Sequence, residues 1–543
     1  MPDTSAGLIA RHLAGIGCRH VFGMPGGEVL VLLEALRNAG IAFTLCKHEN
    51  AAGYMAEGSW HATGAPGILL TTIGPGLANG INAVANAFQE QVPLIVLSGC
   101  IDATEAAQFT HQVMDQSALM APVTKAQYRV APGTAALVVQ KAIAVALADP
   151  PGPVHIDLPV GLAAEPAPDT AISARAARSA GWPEGPALTE AAKLLSAAQR
   201  PIILAGLGAL HHGAGDAITA LARARNIPVI TTYKAKGVID ENDPLSLGGH
   251  GLSPLSDKQI LPLLRASDFV LLAGYDPIEM RAGWIQPWAA EAAIELSHAE
   301  THHGMHASAM RLVGDIKALV AGLHAGLPSG LPDPVQVWPN GEPGKARAAL
   351  ASDFAGPDIG PGHWGPHSVF RTLRAQLPPD AVVTIDSGAH RILLSQMWHC
   401  TRPRTLLQST AFCSMGVAVP LAIGHAIARP DTPVMAVVGD AGFDMSPGDL
   451  ATLRDTRLPV GIVVLVDDAL ALIEKKQALM QLPGHGVVFQ PTDIPAVARA
   501  YGGHGVSVDN TADLAGELQG IHQRDTFTLI AARIDKQAYT TAF

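Results

Sequence analysis

The chain has 543 residues, of which 48% are hydrophobic and 15% charged, and its formal net charge is −11. This composition is typical of about three α/β domains with large cores and excludes a disordered chain. The acidic balance, without basic runs or an uncharged apolar stretch of membrane-spanning length, argues against nucleic-acid and membrane partners. The five cysteines lack metal-ligand spacing, and with no signal peptide evident they predict reduced thiols in the cytoplasm.

Residues 1–164 are predicted to form a first doubly wound domain, in which apolar strands alternate with helices around a mainly parallel sheet. The predicted strand 20–23 runs into a glycine-rich turn that contains Gly26. The next strand leads into the sequence HENAAGYMAEG, where Glu49 stands at the start of a predicted helix. A carboxylate at this position can simply complement the helix dipole.

Two further strands of this domain precede polar turns. Strand 67–72 ends at a Gly-Pro-Gly corner that includes Pro75 and is followed by Asn79. Such a corner is ordinarily just a turn. Beyond the following strand lies a segment with His111 and Gln112. A single histidine is more often structural than catalytic.

An Ala/Pro-rich linker, 165–184, separates this domain from a central domain predicted over 185–326. The central domain also alternates strands and helices. Its Gly-Leu-Gly sequence at 206–208 lacks a third glycine at the dinucleotide-binding spacing, so scaffolding is the better interpretation. A Pro/Gly-rich second linker is predicted over 327–365.

In the last domain, 366–543, a predicted strand that starts at Val382 runs into a polar turn with Ser387 and His390. A later segment, 408–416, contains Cys413 and Met415. Taken alone, a methionine in such a segment is usually a core residue.

Two consecutive strands of this domain end in acidic residues. Strand 433–438 is followed by Gly439-Asp440-Ala441-Gly442, and strand 460–466 by Asp467-Asp468. Because parallel strands joined by a helix end at the same sheet edge, Asp440 and Asp467 are expected to converge. Carboxylates beside a glycine loop that can approach a phosphate suit Mg²⁺.

The segment after Asp467 is predicted to be helical over 470–477. Leu472, Ile473 and Lys476 then fall on one side of the helix, since successive residues turn by about 100°. Two apolar side chains and one cation suit a small organic acid.

Four of these motifs, in this order, resemble the acetolactate synthase-like family of thiamin-diphosphate enzymes. They are the HE-xx-A-xx-MA pattern, T-x-GPG-xx-N, the segment 408–416, and GDxG followed by an acidic pair. The resemblance spans essentially the whole chain. It implies an α/β thiamin-diphosphate-binding fold of three domains, with thiamin diphosphate and Mg²⁺ as cofactors. The sequence departs from the commonest family pattern at two places. Ala441 stands where Gly is usual, and Asp467-Asp468 replaces an Asn pair. The second departure resembles the catabolic acetolactate synthases.

The resemblance also implies roles for individual residues. Glu49 would hydrogen-bond N1′ of the aminopyrimidine, and the carbonyl of Cys413 would accept from its 4′-amino group. Met415 would hold the cofactor in its bent shape. The implied metal ligands are Asp440, Asp467 and the carbonyl of Ala469. The other implied cofactor contacts are Gly26, Pro75, Asn79, Ser387, His390, Gly439, Ala441, Gly442, Leu472 and Ile473.

The implied reaction decarboxylates a 2-oxo acid, with pyruvate as the leading choice, and transfers the acyl anion equivalent to a carbonyl acceptor. Glu49, His111, Gln112 and Lys476 are the expected catalytic residues. Most relatives carry Phe-Gln-Glu near the position of His111-Gln112-Val113. The segment 274–279 resembles flavin-free catabolic enzymes, so FAD is not expected. The family also implies a homodimer or a homotetrameric dimer of dimers, with each active site shared between two chains.

Three other functions stay open at this stage. A simple 2-oxo-acid decarboxylase would release an aldehyde without ligation. A lyase or an enzyme similar to sulfoacetaldehyde acetyltransferase would use the same cofactor on another donor. An inactive scaffold or binding protein would fit the substitutions at Ala441 and at residues 111–113, but Glu49, Asp440 and Asp467 argue against it.

Overall fold

The computed structural model describes residues 3–170, 183–300, 303–328, 336–356 and 364–539. These residues form three six-stranded sheets, and all registered strand pairs are parallel. The predicted class, three α/β domains, is therefore confirmed. Of the predicted linkers, 171–182, 329–335 and 357–363 lie outside the described residues. Among the described helices, none has the length and apolar character needed to cross a membrane.

The first sheet has the strand order β2-β1-β3-β4-β6-β5. Its strands are β1 (His20–Met24), β2 (Ala42–Leu45), β3 (Gly67–Thr71), β4 (Leu94–Cys100), β5 (Ala126–Arg129) and β6 (Val154–Pro159). Its helices are α1 (Ser5–Gly15), α2 (Leu30–Asn38), α3 (Glu49–Thr63), α4 (Pro75–Asn79), α5 (Ile81–Gln89), α6 (Ala103–Ala106), α7 (Gln116–Met120), α8 (Ala135–Leu147) and α9 (Val160–Ala163). Strands β3, β4 and β6 are buried along their whole length, which explains their continuous apolar sequences.

The central sheet has the order β12-β11-β10-β7-β8-β9, the doubly wound order of dinucleotide-binding folds. Its strands are β7 (Pro201–Ala205), β8 (Val229–Thr232), β9 (Ser246–His250), β10 (Phe269–Ala273), β11 (Ala293–Ser297) and β12 (Met310–Val313). Its helices are α10 (Pro186–Ala197), α11 (Leu207–His211), α12 (Gly215–Arg225), α13 (Pro254–Ala266) and α14 (Ile316–Ala325).

A further helix, α15 (Glu342–Asp353), lies within the segment 327–365 that the sequence predicts to be a linker. Its buried Ala346 and Leu350 are four residues apart and pack into the hydrophobic core shared by the central and last domains. This spacing places both side chains on one helix face. The Pro/Gly-rich flanks of the segment mask this short periodic pattern.

The last sheet has the order β14-β13-β15-β16-β18-β17, which repeats the topology of the first sheet. Its strands are β13 (Val382–Ile385), β14 (Leu406–Gln408), β15 (Val434–Gly439), β16 (Gly461–Val466), β17 (His504–Val508) and β18 (Thr528–Arg533). Its helices are α16 (Pro366–Gln376), α17 (Ala389–Met397), α18 (Ala418–Ala428), α19 (Asp440–Phe443), α20 (Leu450–Thr456), α21 (Ala471–Leu479), α22 (Ile494–Ala500) and α23 (Thr511–Gly520).

Helix α3 of the first domain packs directly against α18 of the last domain. Two glycines allow the close approach, because a Cβ on Gly424 would collide with the backbone of Met55, and one on Gly58 with the carbonyl oxygen of Leu421. All three domains also meet at Glu90, which pairs with Lys234 at 2.5 Å and accepts the backbone N–H of Ala411 at 2.9 Å. These contacts fix the first domain on the last.

Candidate functional site

Asp440 joins the ends of two neighbouring strands. Strands β15 and β16 are paired in parallel, and Asp440 directly follows β15, while Asp467 directly follows β16. The Asp440 carboxylate accepts backbone N–H groups of Asp467 at 3.0 Å and of Asp468 at 2.7 Å. It also accepts the N–H of Ala441 at 2.8 Å. The two acidic residues therefore lie at one sheet edge, as their positions in the sequence suggest.

The environment of Asp440 is buried and acidic. Burial raises the pKa of Asp440, and the three backbone N–H bonds act in the opposite direction. The side chain of Asp467 accepts the N–H of Ala469 at 3.3 Å. Burial, followed by the charges of Asp467 and Asp440, raises the pKa of the buried Tyr539 phenol. Carboxylate oxygens retain further acceptor positions after such bonds, so a hard cation fits this edge.

A cavity of about 670 Å³ opens beside this edge, and its size is typical of cofactor sites. The predicted residues that line it are Ser387, His390, Cys413, Met415, Gly439, Asp440, Ala441, Gly442, Asp467, Ala469, Leu472, Ile473 and Lys476. The cavity is also lined by residues that sequence reasoning missed, including Arg281 of the central domain, Arg391, Lys475 and Tyr539.

Ser387 and His390 bring polar atoms to the cavity wall. The Oγ of Ser387 and the Nε2 of His390 are buried without hydrogen-bond partners. Burial also lowers the pKa of His390 to about 3, which keeps its ring neutral. Gly439 brings backbone close to this ring, since a Cβ there would lie 3.1 Å from Cε1 of His390. A polar ligand with hydrogen-bonding oxygens fits this wall.

Asp386 supports the cavity from behind and was not predicted from the sequence. Its fully buried carboxylate accepts the N–H of Gly416 at 3.0 Å and of Val417 at 2.8 Å. Burial raises its pKa to about 6. A Cβ on Gly442 would collide with Oδ2 of Asp386, so this position requires glycine. In the sequence, Asp386 is marked only by its position directly after strand β13.

The loop before Met415 is held by contacts from two directions. Cys413 has a φ of 57°, and its Sγ lies 3.5 Å from Nη2 of Arg391. Ser414 accepts a hydrogen bond at 3.1 Å from Asn82 of the first domain. Together with Glu90, these contacts fix the backbone of the loop beside the cavity.

In the first domain, Glu49 is the first residue of α3 and is 4% exposed. Its Oε2 accepts a hydrogen bond from Nδ2 of Asn79 at 3.1 Å. Pro75 begins α4, and a Cβ on the neighbouring Gly76 would lie 3.2 Å from Oε1 of Glu49. Glu49, Pro75 and Asn79 therefore form one group.

Gln112 lies next to this group. His111 makes no contact with the group among the described residues. A Cβ on Gly74 would lie 3.4 Å from the carbonyl oxygen of Gln112. His111 is exposed and faces the ring of Phe109 at 6.2 Å. Gly26 packs against Thr72, leaving no room for a side chain.

The two groups of residues are separate within one chain. The cavity is lined by residues of the central and last domains, and among the described residues none of the first domain lines it. Gly26, Glu49, Pro75, Asn79, His111 and Gln112 thus lie outside it. Within the described residues of one chain, the predicted residues therefore form two separate groups, referred to below as the two half-sites.

Helix α21 forms one wall of the cavity. Leu472, Ile473 and Lys476 all line it, on the side that their spacing predicts. Ile473 is nonetheless 43% exposed and Leu479 74% exposed. With Lys475, which also lines the cavity, this helix gives the wall apolar side chains and two lysines.

Comparison with family models gives matches in all three domains. Residues 3–119 match the N-terminal TPP binding domain of thiamine pyrophosphate enzymes, residues 188–323 their central domain, and residues 386–532 their C-terminal TPP binding domain.

Full-length relatives agree with these matches. The chain is 28% identical to the acetolactate synthase isozyme 1 large subunit of Escherichia coli, over 98% of this chain and 94% of that protein. It is 29% identical, with the same two coverages, to a probable 2-ketoarginine decarboxylase of Pseudomonas aeruginosa. It is 27% identical to a catabolic acetolactate synthase of Raoultella terrigena, over 98% and 95%. The chain belongs to the thiamine pyrophosphate-dependent enzymes, in the acetolactate synthase-like group of carboligases and decarboxylases.

Proposed function

We propose that this enzyme uses thiamin diphosphate and Mg²⁺ to decarboxylate a 2-oxo acid, pyruvate first, and transfers the acyl anion equivalent to a carbonyl acceptor. The observation that carries the proposal is the meeting of Asp440 and Asp467 at the edge of a cavity walled by Leu472, Ile473 and Lys476. This edge suits a metal-bound diphosphate, and the wall beside it suits a small acid.

The residues of the last domain would hold the diphosphate end. Asp440, Asp467 and the carbonyl of Ala469 offer the oxygen ligands that Mg²⁺ prefers. Ser387 and His390 would direct their unpaired polar atoms to phosphate oxygens. When bound, thiamin diphosphate supplies the carbon nucleophile and the electron sink for decarboxylation.

The loop 409–415 would hold the pyrimidine end. The positive φ of Cys413 and the Glu90 and Asn82 contacts fix its backbone, so the carbonyl of Cys413 can act as a fixed acceptor. Met415 lines the cavity beside it and would support the bent cofactor.

Glu49 would hold the proton at N1′ of the pyrimidine. Its burial and its bond to Asn79 restrict its rotamer, as a positioned acid–base group requires. Gln112, beside the same group, would reach the substrate from the side opposite Lys476. His111 is exposed in a single chain, so it would contact the substrate only when a second chain covers it.

A second copy of the chain would complete each site. The two half-sites are separate in one chain, and exposed apolar side chains occur near both. They are Phe109, Val113 and Met114 in the first domain, and Ile473, Leu479 and Met480 in the last. Exposed apolar side chains of this kind are typical of association surfaces. A homodimer, or a dimer of dimers, would bury these side chains and bring Glu49 of one chain and Asp440 of the other to the same cofactor site.

Lys476 would bind the substrate carboxylate, and Leu472 and Ile473 its alkyl end. Lys476→Met should raise KM for 2-oxo acids about tenfold or more, because charge-assisted hydrogen bonds contribute about 1.5–3 kcal/mol. Uncharged aldehyde acceptors provide the internal control, since they lack the carboxylate. Equal effects on charged and uncharged substrates would remove Lys476 from this role.

The metal assignment is tested separately from activity. Asp440→Ala should abolish Mg²⁺-dependent binding of thiamin diphosphate in calorimetry. Asp444→Ala is the matched control, because Asp444 is exposed, four residues along, and outside the cavity lining. Unchanged cofactor affinity in Asp440→Ala would show that the ligands are elsewhere.

A second candidate is decarboxylation without ligation, which the relative named as a probable 2-ketoarginine decarboxylase favours. Product analysis separates the two. The enzyme with both cofactors is given pyruvate or longer 2-oxo acids, with and without a carbonyl acceptor. Acetolactate or another ligated product supports the proposal. Aldehyde and CO₂ alone, with every acceptor, would favour the second candidate.

A further inference from the structure

The central domain brings together three side chains of the types that ligate metals, and none of them has a role in the proposed reaction. Glu295 lies in β11, and His303 and His306 follow in the connection to β12. Each offers one ligand atom, and these atoms lie within 4.8 Å of one another. None of the three lines the cofactor cavity.

Both histidines of this cluster have buried ring nitrogens without a hydrogen-bond partner among the described residues. The side chains of His306 and Glu295 are each 1% exposed. Both ring nitrogens of His306 and the Nε2 of His303 are buried without a hydrogen-bond partner. The Nε2 of His306 lies 3.8 Å from Oε2 of Glu295, which is too long for a direct hydrogen bond. Native interiors rarely leave such groups unsatisfied, so these nitrogens are suited to hold an ion or a water molecule.

The spacing of the ligand atoms fits a single small cation. Tetrahedral zinc with His and carboxylate ligands at about 2.0–2.2 Å places ligand atoms about 3.4 Å from each other. The Nε2 of His306 lies 3.8 Å from Oε2 of Glu295, and all three ligand atoms lie within 4.8 Å of one another, so metal binding would draw the side chains together. Binding at Nε2 of His303 would move its ring proton to Nδ1 and give up a long 3.3 Å contact from the N–H of Met305.

The surroundings match the second layer of a metal site. Nε and Nη2 of Arg311 lie 2.9 Å from the same oxygen, Oε2 of Glu295. Without metal, Arg311 would neutralise the negative charge of the Glu295 carboxylate. With metal bound, it would orient that carboxylate. The rings of Trp288 and Tyr275 lie 5.1 Å and 5.3 Å from the ring of His306 and form an apolar wall.

We propose that Glu295, His303 and His306 bind one Zn²⁺ ion, which fastens residues 303–306 to strand β11 of the central sheet. Two imidazoles and a carboxylate are a ligand set that zinc accepts, with a fourth position for water. The ion would stabilise the central domain independently of thiamin diphosphate and Mg²⁺.

Zinc binding is measured by competition with a chromophoric chelator. The chelator-stripped enzyme is used with saturating thiamin diphosphate and Mg²⁺, so that the Asp440 site is occupied. We expect one tightly bound Zn²⁺ per chain and a higher melting temperature. Co²⁺ in its place should give the absorption bands of a tetrahedral ion.

Two ligand variants and one control complete the test. His303→Gln and His306→Gln should each weaken zinc binding at least tenfold, while His324→Gln, in α14 of the same domain, should not. Circular dichroism of the metal-free variants verifies folding, and the half-buried position of His303 makes its variant the more conservative. The proposal would be overturned if the wild type binds no zinc tightly, or if both ligand variants bind zinc as tightly as the wild type.

Discussion

Glu49 is buried and accepts a side-chain hydrogen bond from Asn79. Glu49→Gln keeps the size and the acceptor oxygen but cannot exchange a proton. We expect thiamin diphosphate to bind nearly as tightly and turnover to fall about 10²–10⁴-fold, the usual range for acid–base groups. Steady-state kinetics with calorimetry checks this.

The matched control for Glu49 is Glu57→Gln on the same helix. Glu57 is also buried, and its Oε2 accepts Nδ2 of Asn86 at 2.9 Å. That variant should keep its turnover. Wild-type turnover in Glu49→Gln would exclude the proposed proton role.

Asp449 provides a pH test of stability. Burial alone raises its pKa from 3.8 to about 7. The folded state therefore binds more protons than the unfolded state between about pH 4 and pH 7, and stability falls as pH rises through this window. Asp449→Asn removes this loss, so its stability relative to wild type should rise by about 2–3 kcal/mol from pH 5 to pH 8.

Thermal or denaturant unfolding at the two pH values measures this change. Asp444→Asn, at an exposed carboxylate in the same segment, is the control and should follow the wild type. A relative stability of Asp449→Asn that does not change with pH would show that the Asp449 carboxyl is not held in its neutral form.

Some residues of the candidate site could be predicted from the sequence, and others could not. Asp440 and Asp467 were predictable because each directly follows an apolar strand, and parallel strands place such positions together. Asp386 and Glu90 were not, since their importance comes from bonds to backbone 30 and 321 residues away. Local periodicity contains no information about these partners.

At the scale of elements, the contact of α3 with α18 depends on glycine. Gly424→Ala would place a Cβ against the backbone of Met55, which cannot rotate away. Overpacking of this kind costs about 1–3 kcal/mol, so the melting temperature should fall. Gly516→Ala in α23 is the control, because nothing lies within 4 Å of the added Cβ.

The control should be neutral or stabilising, since alanine is the better helix former. A melting temperature for Gly424→Ala equal to that of the control would mean that the two helices can move apart freely.

The strands predicted over 67–72, 433–438 and 460–466 are observed within one residue of those bounds, because buried parallel strands are continuous apolar runs. The bounds of a predicted helix also agree closely. The helix over 470–477 is an example, observed as Ala471–Leu479. Helix α15 was missed, since its stability comes from packing Ala346 and Leu350 into a core made by other segments. Tertiary packing decided what local propensity did not.

At the scale of the whole molecule, the first and last sheets share one topology, and in the proposed dimer each would contribute half of a site. The first-domain group around Glu49 and the cavity beside Asp440 do not meet in one chain. Two-fold pairing would bring each half-site against its complement. The shared site is the claim on which the proposed roles of both groups depend.

Mixed dimers test the shared site most directly. Glu49→Gln and Asp440→Ala chains, each inactive alone, are exchanged and the differently tagged heterodimer is isolated. One of its two sites then combines an intact Glu49 with an intact Asp440, so about half the wild-type activity per dimer should return. Each variant exchanged with its own tagged copy is the control. Verified heterodimers with no more activity than these controls would contradict a site built from two chains.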